Sequence, residues 1–90
     1  MILATAEVAD FDQFLNTFSA RGAEKRSEHG SRHSHVFRDP EDANRVWVVF
    51  DWDVEDYEKF IADPEVPAIF QEAGLHGPPV KAELAGEYGS

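Results

Sequence analysis

Residues 45–52, Arg-Val-Trp-Val-Val-Phe-Asp-Trp, are apolar on both faces of a strand. Side chains alternate sides along an extended chain, so Val46, Val48, Phe50 and Trp52 share one face, and Trp47 and Val49 the other. A strand that is apolar on both sides belongs in a sheet covered on both sides. The rest of the chain offers two helices, enough to cover one face. A second copy of the same chain is the simplest cover for the other, so a homodimer is expected.

Composition narrows the class. Ninety residues make one domain, expected to span 1–88 with 89–90 as a tail. A chain of this size buries only about 60–65% of its unfolded surface, and dimerisation would enlarge its core. Eighteen carboxylates stand against eight Lys and Arg, a net charge of −10. Such a polyanion repels phosphate backbones and anionic lipid, so neither nucleic acid nor a membrane is expected as a partner. There is no cysteine, which removes disulfides, thiolate catalysis and Cys-zinc sites. No basic stretch precedes an apolar run at the start, and no run is long enough for a membrane span, so a cytoplasmic protein is expected.

Met1 to Val8 reads as a first strand. Asp10 is a good helix N-cap with Gln13 at the capping-box spacing. Phe11, Phe14, Leu15 and Phe18 then recur at i, i+3, i+4 and i+7 as one apolar stripe. This helix turns polar after Arg21 and should end by Gly30. Ser31 to Arg38 is a polar edge strand with His33, His35 and Phe37 on one face and Ser34 and Val36 on the other. The turn-rich Asp39–Asn44 links it to the two-faced strand in a hairpin. Asp53 caps a second helix carrying Val54, Tyr57, Phe60 and Ile61. Asp63-Pro64 interrupts it, Pro64 fitting a first helical position, and Val66, Ile69, Phe70 and Ala73 continue it to Gly74. Val80, Ala82 and Leu84 alternate with Lys81 and Glu83 as a last strand. The order β-α-β-β-α-β is the ferredoxin-like, split βαβ arrangement of an α+β fold: a four-stranded antiparallel sheet with both helices on one face.

Within that order, Val46 to Trp52 followed by Asp53-Val54-Glu55-Asp56-Tyr57-Glu58-Lys59-Phe60 resembles the apolar strand, Trp, acidic cap and helix of the antibiotic-biosynthesis-monooxygenase-like proteins, members of the dimeric α+β barrel superfamily. The hairpin from Val36 to Val46 and the ending Glu72-Ala73-Gly74-Leu75-His76-Gly77-Pro78-Pro79 fit the same group. The resemblance implies a dimeric α+β barrel with a ligand cleft between the sheet and the helices of each subunit, with Trp52 in it. The superfamily is functionally mixed, so fold does not fix chemistry. It includes cofactor-independent monooxygenases acting on polyketide-like aromatics, cyclase-like enzymes, isomerases and haem-degrading enzymes. The last carry a Phe-x-x-Ala-His ligand pattern. Here the equivalent Phe70-Gln71-Glu72-Ala73-Gly74 has glycine at the histidine position, which disfavours haem.

His33 and His35 are the candidate catalytic residues, since histidine is the natural general base near neutral pH. Hairpin register decides their face. With Arg38 opposite Arg45, the expected register, His35 faces Val48 and His33 faces Phe50, on the cleft side. A shift by one puts His33 opposite Asp51, on the dimer side. Either histidine could equally be a solvated residue of a polar edge. In the cleft reading, His35 or His33 would take a proton from an acidic phenol or enol, and the resulting anion would react directly with dioxygen. Trp52, Tyr57, Phe14, Phe18, Phe50 and His76 are the candidate substrate-binding residues for a small apolar or aromatic molecule. A metal site could draw on His33, His35, His29, Asp51 or His76, but spacing alone does not assemble one, and neither a metal nor a cofactor is expected. A non-catalytic metabolite-binding or protein-interaction dimer is the alternative. Asp51, a carboxylate on an apolar strand, needs a partner, expected across the dimer interface.

Overall fold

The computed structural model describes all 90 residues. The elements are β1 (Ile2–Glu7), α1 (Phe11–Ser19), α2 (Arg21–Glu28), β2 (His33–Arg38), β3 (Arg45–Asp51), α3 (Val54–Ala62), α4 (Val66–Glu72) and β4 (Val80–Glu83). The strands form one antiparallel sheet in the order β2-β3-β1-β4, the ferredoxin-like arrangement. The helices pack on one face of it.

The alternation in β3 sorts the two faces as its sequence requires. Val46, Val48, Phe50 and Trp52 are buried beneath the helices, joined by Ile2, Ala4 and Ala6 from β1. Phe14, Tyr57, Phe60, Val66 and Ala73 close this core from the helical side. On the other face, cross-strand pairing lays His35, Val49, Leu3 and Ala82 in one row and Phe37, Trp47, Thr5 and Val80 in the next. Nothing in the chain covers these rows: Leu3 is 38% exposed, Phe37 52% and Val80 68%.

The hairpin register differs by one residue from the sequence expectation. Arg38 pairs with Val46, His33 with Asp51 and His35 with Val49. The loop sets this. The Asp39 carboxylate accepts the backbone N–H groups of Glu41 (2.9 Å) and Asp42 (3.1 Å), and its second oxygen takes the Trp47 indole N–H at 2.9 Å. The Trp47 bond foremost, then the backbone bonds, hold this carboxyl below the usual carboxylate range. Asn44 donates to the carbonyls of Val8 and Ala9, anchoring the loop to β1.

The first helix is also two helices rather than one. Ala20, at φ −114° and ψ −95°, breaks the chain between α1 and α2. Asp10 caps α1 as read, its carboxylate accepting the Gln13 N–H at 2.8 Å. Gln13 does not reach back to complete a capping box. Its side chain donates instead to the Glu72 carbonyl, tying α1 to α4. Asp53 occupies the N-cap position of α3 but makes no capping bond; its carboxylate accepts from Arg32. The proline in the first turn of α4 is Pro67, not Pro64. Gly74 sits at φ +79°, and a Cβ there would come within 3.2 Å of the Gln13 side chain. Any other residue at this position would be strained as well as crowded.

The α3–α4 junction is clamped to the end of α2. Asp63 takes the His29 ring nitrogen at 2.8 Å and the Glu65 N–H at 2.9 Å, and Lys25 approaches Asp63 at 3.4 Å while pairing with Glu28 and Glu65. His29, then the Glu65 N–H, lower the Asp63 carboxyl to about 2. A carboxyl depressed from 3.8 stabilises the fold fully above its unfolded value and loses that contribution as pH falls through its folded one. Asp63→Asn should therefore lower Tm near neutral pH. The gap from wild type should close between pH 3.8 and about 2. Thermal unfolding across that window checks it; a gap independent of pH would contradict it.

Candidate functional site

A chamber of about 70 Å³ lies between helices and sheet. Its wall is built by Ala4 and Ala6 from β1, Phe14, Thr17 and Phe18 from α1, Gly22 and Arg26 from α2, Val48 and Phe50 from β3, Tyr57 and Phe60 from α3, and Ile69 and Phe70 from α4. The rings form a chain of contacts, Phe14 to Phe18 at 5.2 Å, Phe18 to Phe50 at 6.2 Å and Phe50 to Tyr57 at 6.1 Å between centroids. An apolar cavity that takes benzene has a volume of ~150 Å³, about twice that of the chamber, so an aromatic ring would extend beyond it. It shares Tyr57, Phe70, Leu75 and Pro79 with a broader groove of about 620 Å³ between α3, α4 and the 75–81 segment. Glu58 and Lys81, paired at 3.2 Å, stand at the wall of that groove. Chamber and groove together are of a size that holds small molecules.

Three polar side chains line the chamber wall. Thr17 is 7% exposed and Tyr57 3%. Burial, more than the nearby Glu58, pushes the Tyr57 hydroxyl above its usual range, so at neutral pH it is a hydrogen-bond donor and not a base. The Arg26 guanidinium lies 3.6 Å over the Phe18 ring. The ion pairs of the chain use Arg21, Lys25, Arg32, Arg45, Lys81 and His29, and Arg26 takes part in none of them. Burial lowers it to about 10, which still leaves it charged at neutral pH.

The sequence-designated residues divide. Phe14, Phe18, Phe50 and Tyr57 line the chamber. Trp52 does not: it is fully buried behind Phe50 and Tyr57, its indole N–H donating to the His29 carbonyl at 2.8 Å. His76 is exposed, outside the groove that its neighbours Leu75 and Gly77 help to form. His33 and His35 point away from the chamber. The register that pairs them with Asp51 and Val49 turns both onto the uncovered sheet face, their rings 4.7 Å apart and both residues exposed. Neither can act as a base on a molecule beneath the helices. His29 is engaged by Asp63. Asp51 finds its partner within the chain: Arg32 bridges it and Asp53, each at 3.1 Å. Arg26 is the residue the sequence reading missed. Phe18, Gly22 and Arg26 recur at intervals of four, which carries the apolar stripe of α1 into an arginine.

No family model matches the chain, and no curated protein matches it. Solved structures do. SnoaB, a cofactor-independent oxygenase from Streptomyces nogalater, superposes with a TM-score of 0.71 at 14% identity, over 96% of this chain and 92% of that one. An antibiotic biosynthesis monooxygenase superposes with a TM-score of 0.65 at 16% identity, over 97% of each chain. A conserved protein from Methanosarcina mazei Go1 gives 0.64 at 17%, over 90% of this chain and 85% of that one. The chain thus has the antibiotic-biosynthesis-monooxygenase-like fold. At these identities the likeness is one of fold and leaves the chemistry to the site. No helix is long and apolar enough to cross a membrane.

Proposed function

We propose that the chain works as a homodimer in which each subunit binds a small, largely apolar aromatic molecule between its helices and its sheet. The observation that carries this reading is the aromatic chamber and its continuation into the outer groove, with Tyr57 in their shared wall. The second copy covers the bare sheet face. The centre of that face is apolar, and its nearby charges are already paired within the chain, Arg45 with Glu7 and Arg32 with Asp51. Such a surface can meet its own copy without stranding charge.

The likeness to a cofactor-independent oxygenase makes oxidation of a phenolic or polyketide-like substrate by dioxygen the first activity to test. One observation favours a second, non-catalytic reading: no histidine and no carboxylate lines the chamber, so the chain offers no base there. The test is calorimetric titration with phenols and quinols alongside measurement of oxygen uptake. Binding with uptake supports the oxygenase, binding without it the metabolite binder. Ala4 faces the chamber, and Ala4→Leu fills it with an isobutyl group. This variant should bind at least about tenfold more weakly while losing no more than about 3 kcal/mol of stability to overpacking. Unchanged affinity would remove the chamber from the binding site.

A further inference from the structure

A chain with 18 carboxylates and a net charge of −10 has lined its one aromatic chamber with no carboxylate at all and with a single cation, Arg26. Thr17 and Tyr57, the other polar residues whose side chains lie on this face, carry neutral hydroxyls. The guanidinium is set there by close fitting. It stacks on Phe18 at 3.6 Å, and Gly22, one turn earlier, leaves it room: a Cβ at residue 22 would stand 3.1 Å from an Arg26 terminal nitrogen and 3.0 Å from the Thr17 carbonyl oxygen. Five of the eight Lys and Arg residues have a carboxylate partner; Arg26, Arg38 and Lys59 have none, and of these three only Arg26 lines the chamber. A partly desolvated charge without a counter-ion is costly, and the face of one phenylalanine compensates only part of that cost.

We propose that Arg26 makes this cleft selective for aromatic molecules that carry an anionic oxygen, a carboxylate or an ionised phenol, over their neutral counterparts. The inference rests on the reading of the chamber as a ligand site and adds the chemical class of the ligand. The ring occupies the groove and the aromatic walls, and the anionic oxygen meets the guanidinium. Burial holds Arg26 at about 10, so it keeps its charge throughout the neutral range. The field of the whole chain opposes anions, so any preference for one must be local; the other cation of the cleft, Lys81, is already paired with Glu58 and Glu83. An ionised phenol bound here would also arrive already deprotonated, which suits a chamber that has no base.

The experiment compares matched probes by calorimetry. Naphthoate is set against naphthamide, and para-nitrophenol against para-nitroanisole at a pH above that of phenol ionisation and below that of Arg26. Wild type should bind each anion at least about tenfold more tightly than its neutral partner, as a charge-assisted bond replaces a neutral one. Whichever pair shows the larger ratio identifies carboxylate or phenolate as the preferred group. Arg26→Gln should bring the ratio of anion to neutral affinity to about one in each pair. Arg26→Lys, which retains the charge, should keep the direction of the preference and serves if the glutamine variant fails to fold. Neutral probes that bind the wild type as tightly as the anions overturn the inference and leave the cleft reading intact, as does a preference that survives in Arg26→Gln. Binding of neither class overturns the cleft reading and the inference together.

Discussion

Trp52→Ala should destabilise the chain by about 3–5 kcal/mol, a large share of what a domain of this size possesses. Trp52 is completely buried, with Phe60 at 5.0 Å and Phe50 and Tyr57 each at 5.4 Å between ring centroids. Truncation opens a cavity that three helix- and sheet-borne rings cannot close. It also removes the donor to the His29 carbonyl, at the C-terminal end of α2, and leaves that acceptor unpaired. Trp52→Phe separates the two effects. It keeps most of the packing and loses the hydrogen bond, for about 1–3 kcal/mol. Urea unfolding of both variants gives the comparison. A loss below about 1 kcal/mol for the alanine variant would show that Trp52 is not the centre of this core.

Val49→Asp should convert a dimer into monomers. Val49 lies in the middle of the uncovered face, between His35 of β2 and Leu3 of β1. It is half-buried even in the isolated chain. Twofold symmetry would place two new carboxylates at the centre of an interface that has no free cation there to receive them. Each uncompensated buried charge costs about 3–5 kcal/mol, enough to weaken association at least a hundredfold. Within the monomer the same side chain points to water, so the fold should survive. Sedimentation equilibrium should find twice the chain mass for wild type and a single chain for the variant. A wild type that is monomeric at micromolar concentration would refute the covered-face argument, as would a variant that stays dimeric.

Strand and helix positions were legible where periodicity was strong. The two-faced run Arg45–Trp52 fixed the central strand, and the Phe11–Phe18 stripe fixed the first helix. Register was not legible, because it depends on how Asp39 folds the loop over Glu41, Asp42 and Trp47, a set of bonds no pattern of hydropathy encodes. That one-residue difference moved His33 and His35 from beneath the helices to the bare face. The break at Ala20 was hidden for a similar reason: alanine is a strong helix former, so residue type at that position gives no sign of a break. Trp52 lies on the inner face, as its alternation requires, but does not line the chamber. Alternation determines a side chain's face but not which ring in a cluster borders empty space. Arg26 was passed over because the segment around it reads as polar and solvated. Its signal was the interval of four from Phe18 through Gly22.

The most direct test of the cleft as the ligand site is an assigned backbone and aromatic NMR spectrum recorded while a neutral aromatic, naphthol, is titrated into the protein. Shifts should concentrate at Thr17, Phe18, Tyr57 and Phe70, with Leu3, Val49 and Val80 on the opposite sheet face unmoved. Shifts confined to the sheet face, or none anywhere, would contradict the cleft as the ligand site.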